Sequence, residues 1–273
     1  MYWSLDEDKG LPIIWKCMSR NRFKSLKQNI NLSDNFCLDK TDKFAKPRPF
    51  LKHLNQKYLQ FGIFSQHLSI DKEMVSYFGR HSSKMFIKGK PVRFGFKLWC
   101  LCSSDEYLFQ FIPYGGAEAK SDEQNMPLRT RVVTKLLSVV SNPVMHKIYF
   151  DNFFSSYGLF EILKIELWFF EIFFASGTAR ENRIAGCILD DSKNMKKKHR
   201  GSYDFAFNKD AETCAIKWND NAVVSIVTNN CKMLPLVNAK RYSRKKRKEV
   251  VITQPNVISD YNGVDQWFQT WGR

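Results

Sequence analysis

Two short apolar runs that each end in an aspartate, HLSID at 67–71 and KIYFD at 147–151, constrain the fold more than any other feature of the chain. Each is too short for a helix and too apolar for a loop, so each reads as a core strand with an acid at its carboxyl end. Around them the hydrophobic period switches. Gly89–Ser103 (GKPVRFGFKLWCLCS) alternates like a half-buried strand, and Tyr107–Gly116 (YLFQFIPYGG) is another strand, closed by a glycine pair. Arg129–Val140 and the stretch from Phe153 (FFSSYGLFEILKIEL) return to helical spacing. The order β-β-β-α-β-α predicts a mixed α/β core, a sheet flanked by helices.

Upstream, Ile14–Asn31 sets Trp15, Met18, Phe23, Leu26 and Ile30 at near-helical spacing and reads as one basic amphipathic helix. Asp42–Leu59 reads as a second helix, with Pro47 and Pro49 near its start, where a missing N–H is tolerated. Residues 177–250 are more polar and carry short strands such as Thr213–Trp218 and Ala222–Thr228, a β-rich insertion with Trp218 in its core.

Apolar residues make up 44% of the 273 positions and aromatics 15%, which excludes a disordered chain. Most of the 23 phenylalanines are expected to be buried. The greasiest stretch, Leu159–Ser176, carries Glu161, Lys164, Glu166 and Glu171, which argues against a membrane span. The opening MYWSLDEDKG lacks the basic start and apolar run of a signal peptide. Seven cysteines, an odd number, then indicate reduced thiols of the cytosol or nucleus. Cys100 and Cys102 would share one strand face as packed thiols, and no zinc site is expected, since no C-x-x-C or paired-His motif appears. His53, His67, His81, His146 and His199 are scattered and read as surface or core residues. Gly115-Gly116 is a turn, with no phosphate-loop pattern after it.

Charge points to a partner. Lysines and arginines outnumber acids by 16, an excess that suits a polyanion whose phosphates release counterions on binding. The surplus is concentrated in Lys193–Arg200 (KNMKKKHR) and Lys240–Lys248 (KRYSRKKRK), readable as a nuclear-import signal, a phosphate contact or a solvated face. No lipid motif accompanies them, so a membrane partner is not expected.

Asp71 and Asp151 would project into the crevice at the carboxyl ends of neighbouring strands, where open α/β sheets place their sites. Such a pair can hold divalent cations, since Mg²⁺ takes hard oxygen ligands and two metals can serve phosphodiester chemistry. The alternative is structural: Asp151 caps the helix that starts at Phe153.

Several segments resemble the piggyBac transposase family. They are LSIDKEMVSYFGRHSSKMFIKGKPVRFGFKLWCLC (68–102), KIYFDNFFSSYGLFEIL (147–163), GTARENRI (177–184), RGSYDF (200–205), IKWNDNAVVSIVTN (216–229) and QPNVISDYNGVD (254–265). YWS (2–4), MSRNRF (18–23), LSDN (32–35) and DKFAKPRPFL (42–51) fit the family's N-terminal part. The resemblance implies a ribonuclease H-like core with an N-terminal helical part and a β-rich insertion: helical residues 1–66, core 67–176, insertion 177–252, and a return to the core at 253–273. It implies a nuclear protein acting on double-stranded DNA, as a homodimer, with Mg²⁺ or Mn²⁺ held by Asp71, Asp151 and Asp265, for nicking at transposon ends and joining at TTAA. Arg80, Lys90, Lys97, Arg180 and Arg183 fall in matching basic motifs, which implies contacts to DNA phosphates.

The chain also departs from the family's pattern. Lys72 stands where the family has an acid after the first Asp, YNGVD is shorter than usual, and Phe268 replaces a further acid. LWFFEIFFASGT is longer and more aromatic than the usual link. With its last residue at Arg273, just after the third acid, the chain is expected to lack the family's final helices and Cys-rich zinc module. Asp265 would then sit on a frayed end, and metal ligands need firm support. Strand cleavage is therefore expected to be weak or absent, with non-catalytic nuclear DNA binding as the alternative role.

Overall fold

The computed structural model describes residues 2–4, 9–89, 91–116, 126–165, 173–184, 186–230, 233–243 and 246–268. The chain divides into two compact units, Met1–Leu54 and Asn55–Arg273. In the first, the single amphipathic helix expected over Ile14–Asn31 is two: α1 (Pro12–Cys17) and α2 (Arg20–Asn29). Ser19 explains the break. Its backbone is extended and its hydroxyl accepts the Arg22 N–H, so it caps a new helix rather than continuing the old one. In the DKFAKPRPFL motif, Asp42 accepts a forked pair of bonds from Arg48 at 2.6 and 2.7 Å and the Phe44 N–H at 2.9 Å. That box fixes the turn leading into α3 (Arg48–Phe61), and Arg48 holds the Asp42 carboxyl below its usual range.

The second unit is built on a mixed sheet of nine described strands. They are β1 (His67–Ser76), β2 (Met85–Phe86), β3 (Phe94–Ser103), β4 (Leu108–Pro113), β5 (Lys147–Phe150), β6 (Phe174–Thr178), β7 (Tyr203–Asn208), β8 (Thr213–Asn219) and β9 (Val223–Thr228). The order runs β2-β3-β1-β5-β6-β9-β8-β7, with β4 also on β3. β1, β5 and β6 are parallel, while β3 and β4 on one side and β9, β8 and β7 on the other are antiparallel. The region expected as a β-rich insertion is β-rich, but three of its strands lengthen the core sheet. Only β10 (Val237–Ser243) and β11 (Lys248–Gln254) pair apart from it, as a hairpin.

Alternation along the strands sends side chains to two cores. On one face Ile70, Leu101, Ile148 and Phe150 pack against α4 (Leu128–Leu137) and α5 (Tyr157–Ile165). On the other, Tyr149, Ile216, Trp218 and Ile226 pack against α7 (Asn256–Phe268) and Ile252 of the hairpin. Trp218 is 2% exposed, in a core as expected. Among the described residues the phenylalanines are divided: Phe109, Phe150, Phe154 and Phe160 are fully buried, but Phe36, Phe61, Phe78 and Phe207 are among nine that stand exposed. The expectation of general burial fails in part: of the nine, Phe23, Phe36 and Phe50 belong to the first unit, and Phe205 and Phe207 lie on β7, the edge strand of the sheet among the described residues. Part of Leu159–Ser176 lies outside the described residues; beyond it β6 emerges where no strand was expected. Among the described residues no helix is long and apolar enough to cross a membrane.

Candidate functional site

Asp71 lies on β1, and Asp151 directly follows the neighbouring strand β5. β1 and β5 are in parallel register through Ile70↔Phe150, so positions 71 and 151 each directly follow the last paired residues of the two strands. Asp151 follows the last residue of β5, as expected. Asp71 does not end its strand: β1 continues to Ser76, paired with β3 as far as Gly95. The acid is still at an edge, because β5 stops there and β1 loses one of its two neighbours.

The turn after Asp151 is tightly held. Phe153 donates its N–H to Asp151 Oδ1 at 2.8 Å, and Phe154 and Ser155 donate theirs to the Asp151 carbonyl. This caps a turn rather than the helix, since α5 begins only at Tyr157. Arg183 Nη1 reaches the carbonyls of Asn152, Phe153 (2.7 Å) and Ser155 (3.3 Å). Arg180 Nε donates to Asn152 Oδ1 at 3.2 Å. The loop carrying these arginines is itself anchored. Buried Lys217 donates to Glu181 Oε1 and to the Asp190 carbonyl, both at 2.7 Å, and holds the Glu181 carboxyl below its usual range. Gly177 lets the turn pack on β6: a Cβ there would meet Ser155 Oγ at 2.3 Å and Phe150 Cδ2 at 2.5 Å.

α7 approaches from the opposite face. Tyr261 donates its hydroxyl to the Phe150 carbonyl at 3.3 Å, one residue before Asp151. Asp265 lies one helical turn further along α7; its side chain is outside the described residues. Cys100 and Cys102 are buried on β3, and burial, with Asp71 and Glu73 nearby, pushes both thiols up, so they stay protonated.

The cation beside Asp151 is a lysine. Lys72 Nζ stands 2.7 Å from Asp151 Oδ2, and both side chains are 29% exposed. Phe153 lies under this pair: the ammoniums of Lys72 and Lys97 are each 5.6 Å from its ring centre. Phe154 is fully buried and Phe153 packs against the same core, so both aromatics lie beneath the site. With Asp151 Oδ1 accepting an N–H and Oδ2 an ammonium, the arrangement does not fit a divalent ion. A doubly charged ion within about 4 Å of an ammonium is disfavoured by roughly 8 kcal/mol at an effective dielectric of about 20. Among the described residues no group of three or more His, Cys, Asp or Glu side chains is placed to hold a metal.

The other residues singled out by sequence are dispersed. Arg80 is exposed on the connection after β1, and Lys90 lies outside the described residues. Arg180 is exposed and Arg183 half-buried under the Asp151 turn. Lys97 is only 9% exposed, boxed by Tyr114 at 3.8 Å, Trp99 at 4.9 Å and Phe153. Burial, and then the charge of Lys72, lower its pKa. The folded chain then sheds this proton before the unfolded chain does. Between the lowered value and about 10.5 the unfolded state binds more protons, so this group adds stability as pH rises. The stability of Lys97→Met relative to wild type should therefore fall as pH climbs toward 10.5 in chemical denaturation at several pH values; a constant difference would contradict the placement.

Sequence reasoning missed how the two basic runs meet. Lys193–Arg200 overlaps α6 (Ser192–Lys197), capped by Asp191, and the described part of Lys240–Lys248 covers the end of β10 and the start of β11. Asp220 ties them together, pairing with Arg200 of the first and, at 3.4 Å, with Arg241 of the second. Lys193, Lys196 and Lys197 on α6, and Lys240, Lys246, Arg247 and Lys248 of the second run, are exposed; Arg244 and Lys245 lie outside the described residues. The acid Asp220, in the short turn between β8 and β9, was the available signal.

Comparison with known proteins agrees with this architecture. The family model described as Transposase IS4 matches residues 1–266. Human PiggyBac transposable element-derived protein 3 is 33% identical over 97% of this chain and 45% of its own length. Human PiggyBac transposable element-derived protein 2 is 30% identical over 96% of this chain and 44% of its own. The chain thus spans less than half the length of these relatives. A cryo-EM structure of the piggyBac transposase synaptic complex with hairpin DNA superposes with a TM-score of 0.75 at 22% identity, covering 97% of this chain and 53% of that one. The likeness shows the fold, a ribonuclease H-like core with its mixed sheet between helices. The chain belongs to the piggyBac transposase family.

Proposed function

We propose that this chain is a transposase-derived domain that binds double-stranded DNA in the nucleus and cuts it weakly or not at all. The observation that carries the reading is the joining of two basic runs by Asp220, which gathers exposed cations from α6 and the hairpin onto adjoining surfaces. A cluster of lysines and arginines neutralises phosphates and releases counterions, so it binds DNA with a steep dependence on salt. The Lys72–Asp151 pair argues against cutting, since it occupies one of the acids that strand cleavage would need.

Fluorescence anisotropy with a duplex at several salt concentrations tests the binding. Log affinity should fall linearly with log salt, with a slope of about −0.9 per phosphate neutralised. Replacing Lys196, Lys197, Lys240, Lys246, Arg247 and Lys248 by glutamine should weaken binding and flatten the slope by about 0.9 for each phosphate that is no longer neutralised. An unchanged slope would remove this surface from the account.

A second reading, metal-dependent cleavage by Asp71, Asp151 and Asp265, is favoured by the parallel pairing of β1 with β5 up to the residues just before 71 and 151. Nicking of a TTAA-flanked duplex with Mg²⁺, lost in Asp71→Ala, would establish it.

A further inference from the structure

We infer that the Lys72 ammonium takes the place of a metal ion at the Asp151 carboxylate and helps to keep divalent cations off it. Three observations support it. Lys72 Nζ contacts Asp151 Oδ2 at 2.7 Å with both side chains about seven-tenths buried, so the pair is part of the packed structure. The remaining oxygen, Oδ1, is already committed to the Phe153 N–H at 2.8 Å, which fixes the carboxylate's orientation. Lys97 adds a second ammonium beside the same Phe153 ring, and among the described residues no carboxylate pairs with it. A divalent ion approaching Asp151 therefore meets two positive charges and no vacant geometry.

The ammonium also performs the structural half of a metal's task. A carboxylate at the open end of a buried strand needs a counter-charge, and Lys72 supplies it from the adjacent strand β1. With Lys72 neutral, Asp151 Oδ2 would lose its ammonium partner and the site would lose one of its two nearby ammonium charges. A cation site is thus latent in the backbone arrangement, and residue 72 decides whether it opens. The consequence for weak cleavage rests on the functional reading above, but cation binding is measured without DNA, so the two fail separately.

Mn²⁺ is the probe, titrated into the full chain and followed by the loss of its free electron paramagnetic resonance signal. Wild type should show no saturable binding that Asp151→Asn removes. Lys72→Gln and Lys72→Glu should each gain a site at least tenfold tighter than any wild-type binding, and adding Asp151→Asn should abolish the gain. Wild-type binding that Asp151→Asn removes would overturn the proposal. So would folded Lys72→Gln and Lys72→Glu proteins, judged by circular dichroism, that bind no better than wild type. If both variants lose the fold, the wild-type arm decides: Asn-sensitive binding refutes the proposal, and its absence at millimolar Mn²⁺ upholds it.

Discussion

Replacing Trp218 with alanine should destabilise the second unit by about 3–5 kcal/mol, the range for deleting a fully buried large aromatic. Its ring is 2% exposed within the core shared by β8, Ile252 of β11 and Ile258 of α7. Its indole Nε1 donates to the Thr253 carbonyl at 2.9 Å, so one side chain ties the sheet to the hairpin. Truncation leaves both a cavity and an unpaired carbonyl. Urea denaturation should show a lower midpoint, and DNA affinity should fall with it, because the basic hairpin loses its seat. Phenylalanine restores packing but not the hydrogen bond and should recover most of the loss. A deficit below about 1 kcal/mol for Trp218→Ala would mean that the hairpin docks by other contacts.

Arg183→Ala should cost on the order of 2–4 kcal/mol, since a buried polar group left without its partner is worth about 1–3 kcal/mol and three carbonyls share this donor. Those carbonyls, of Asn152, Phe153 and Ser155, form the turn that carries Asp151 away from β5. Lysine should recover part of the loss, because all three carbonyls are reached by the single nitrogen Nη1, a role an ammonium with three N–H groups can share. The effect should be local as well as global: amide exchange at 152–155 should speed up before the sheet opens. Protection unchanged in that turn would show that Phe153 and Ser155 hold it without the arginine.

The parts of this architecture that sequence revealed are those set by hydrophobic period. The runs at 67–71 and 147–151 announced β1 and β5 because apolar residues bounded by polar ones leave few alternatives, and α4 appeared at 128–137 where helical spacing predicted it. The helix break at Ser19 was hidden because the apolar positions keep helical spacing across it, while a capping hydroxyl overrides the pattern. The end of β1 was misjudged for a different reason. Lys72 and Glu73 read as a boundary, yet a strand is extended by its partner's ladder, and β3 runs on to Gly95. β10 and β11 were read only as charge, since a hairpin tip of lysines and arginines masks the alternation on either side.

At the site, local sequence identified both aspartates, and family likeness supplied Asp265 and the significance of position 72. What neither revealed was where the lysine points. A charge reversal beside an acid can face solvent, repel a metal at a distance, or bind the neighbouring carboxylate; only the parallel register of β1 and β5 brings Lys72 to Asp151. Lys97 was misleading for a similar reason. On a strand that alternates, a lysine suggests the wet face, but Trp99, Tyr114 and Phe153 enclose its ammonium.

Anomalous diffraction from crystals of the wild-type chain soaked in Mn²⁺ examines the lysine-for-metal exchange most directly. The expected map has Lys72 Nζ in hydrogen-bond contact with Asp151 Oδ2 and no manganese peak between positions 71 and 151. A peak bridging those two carboxylates, with the lysine swung away, would contradict it.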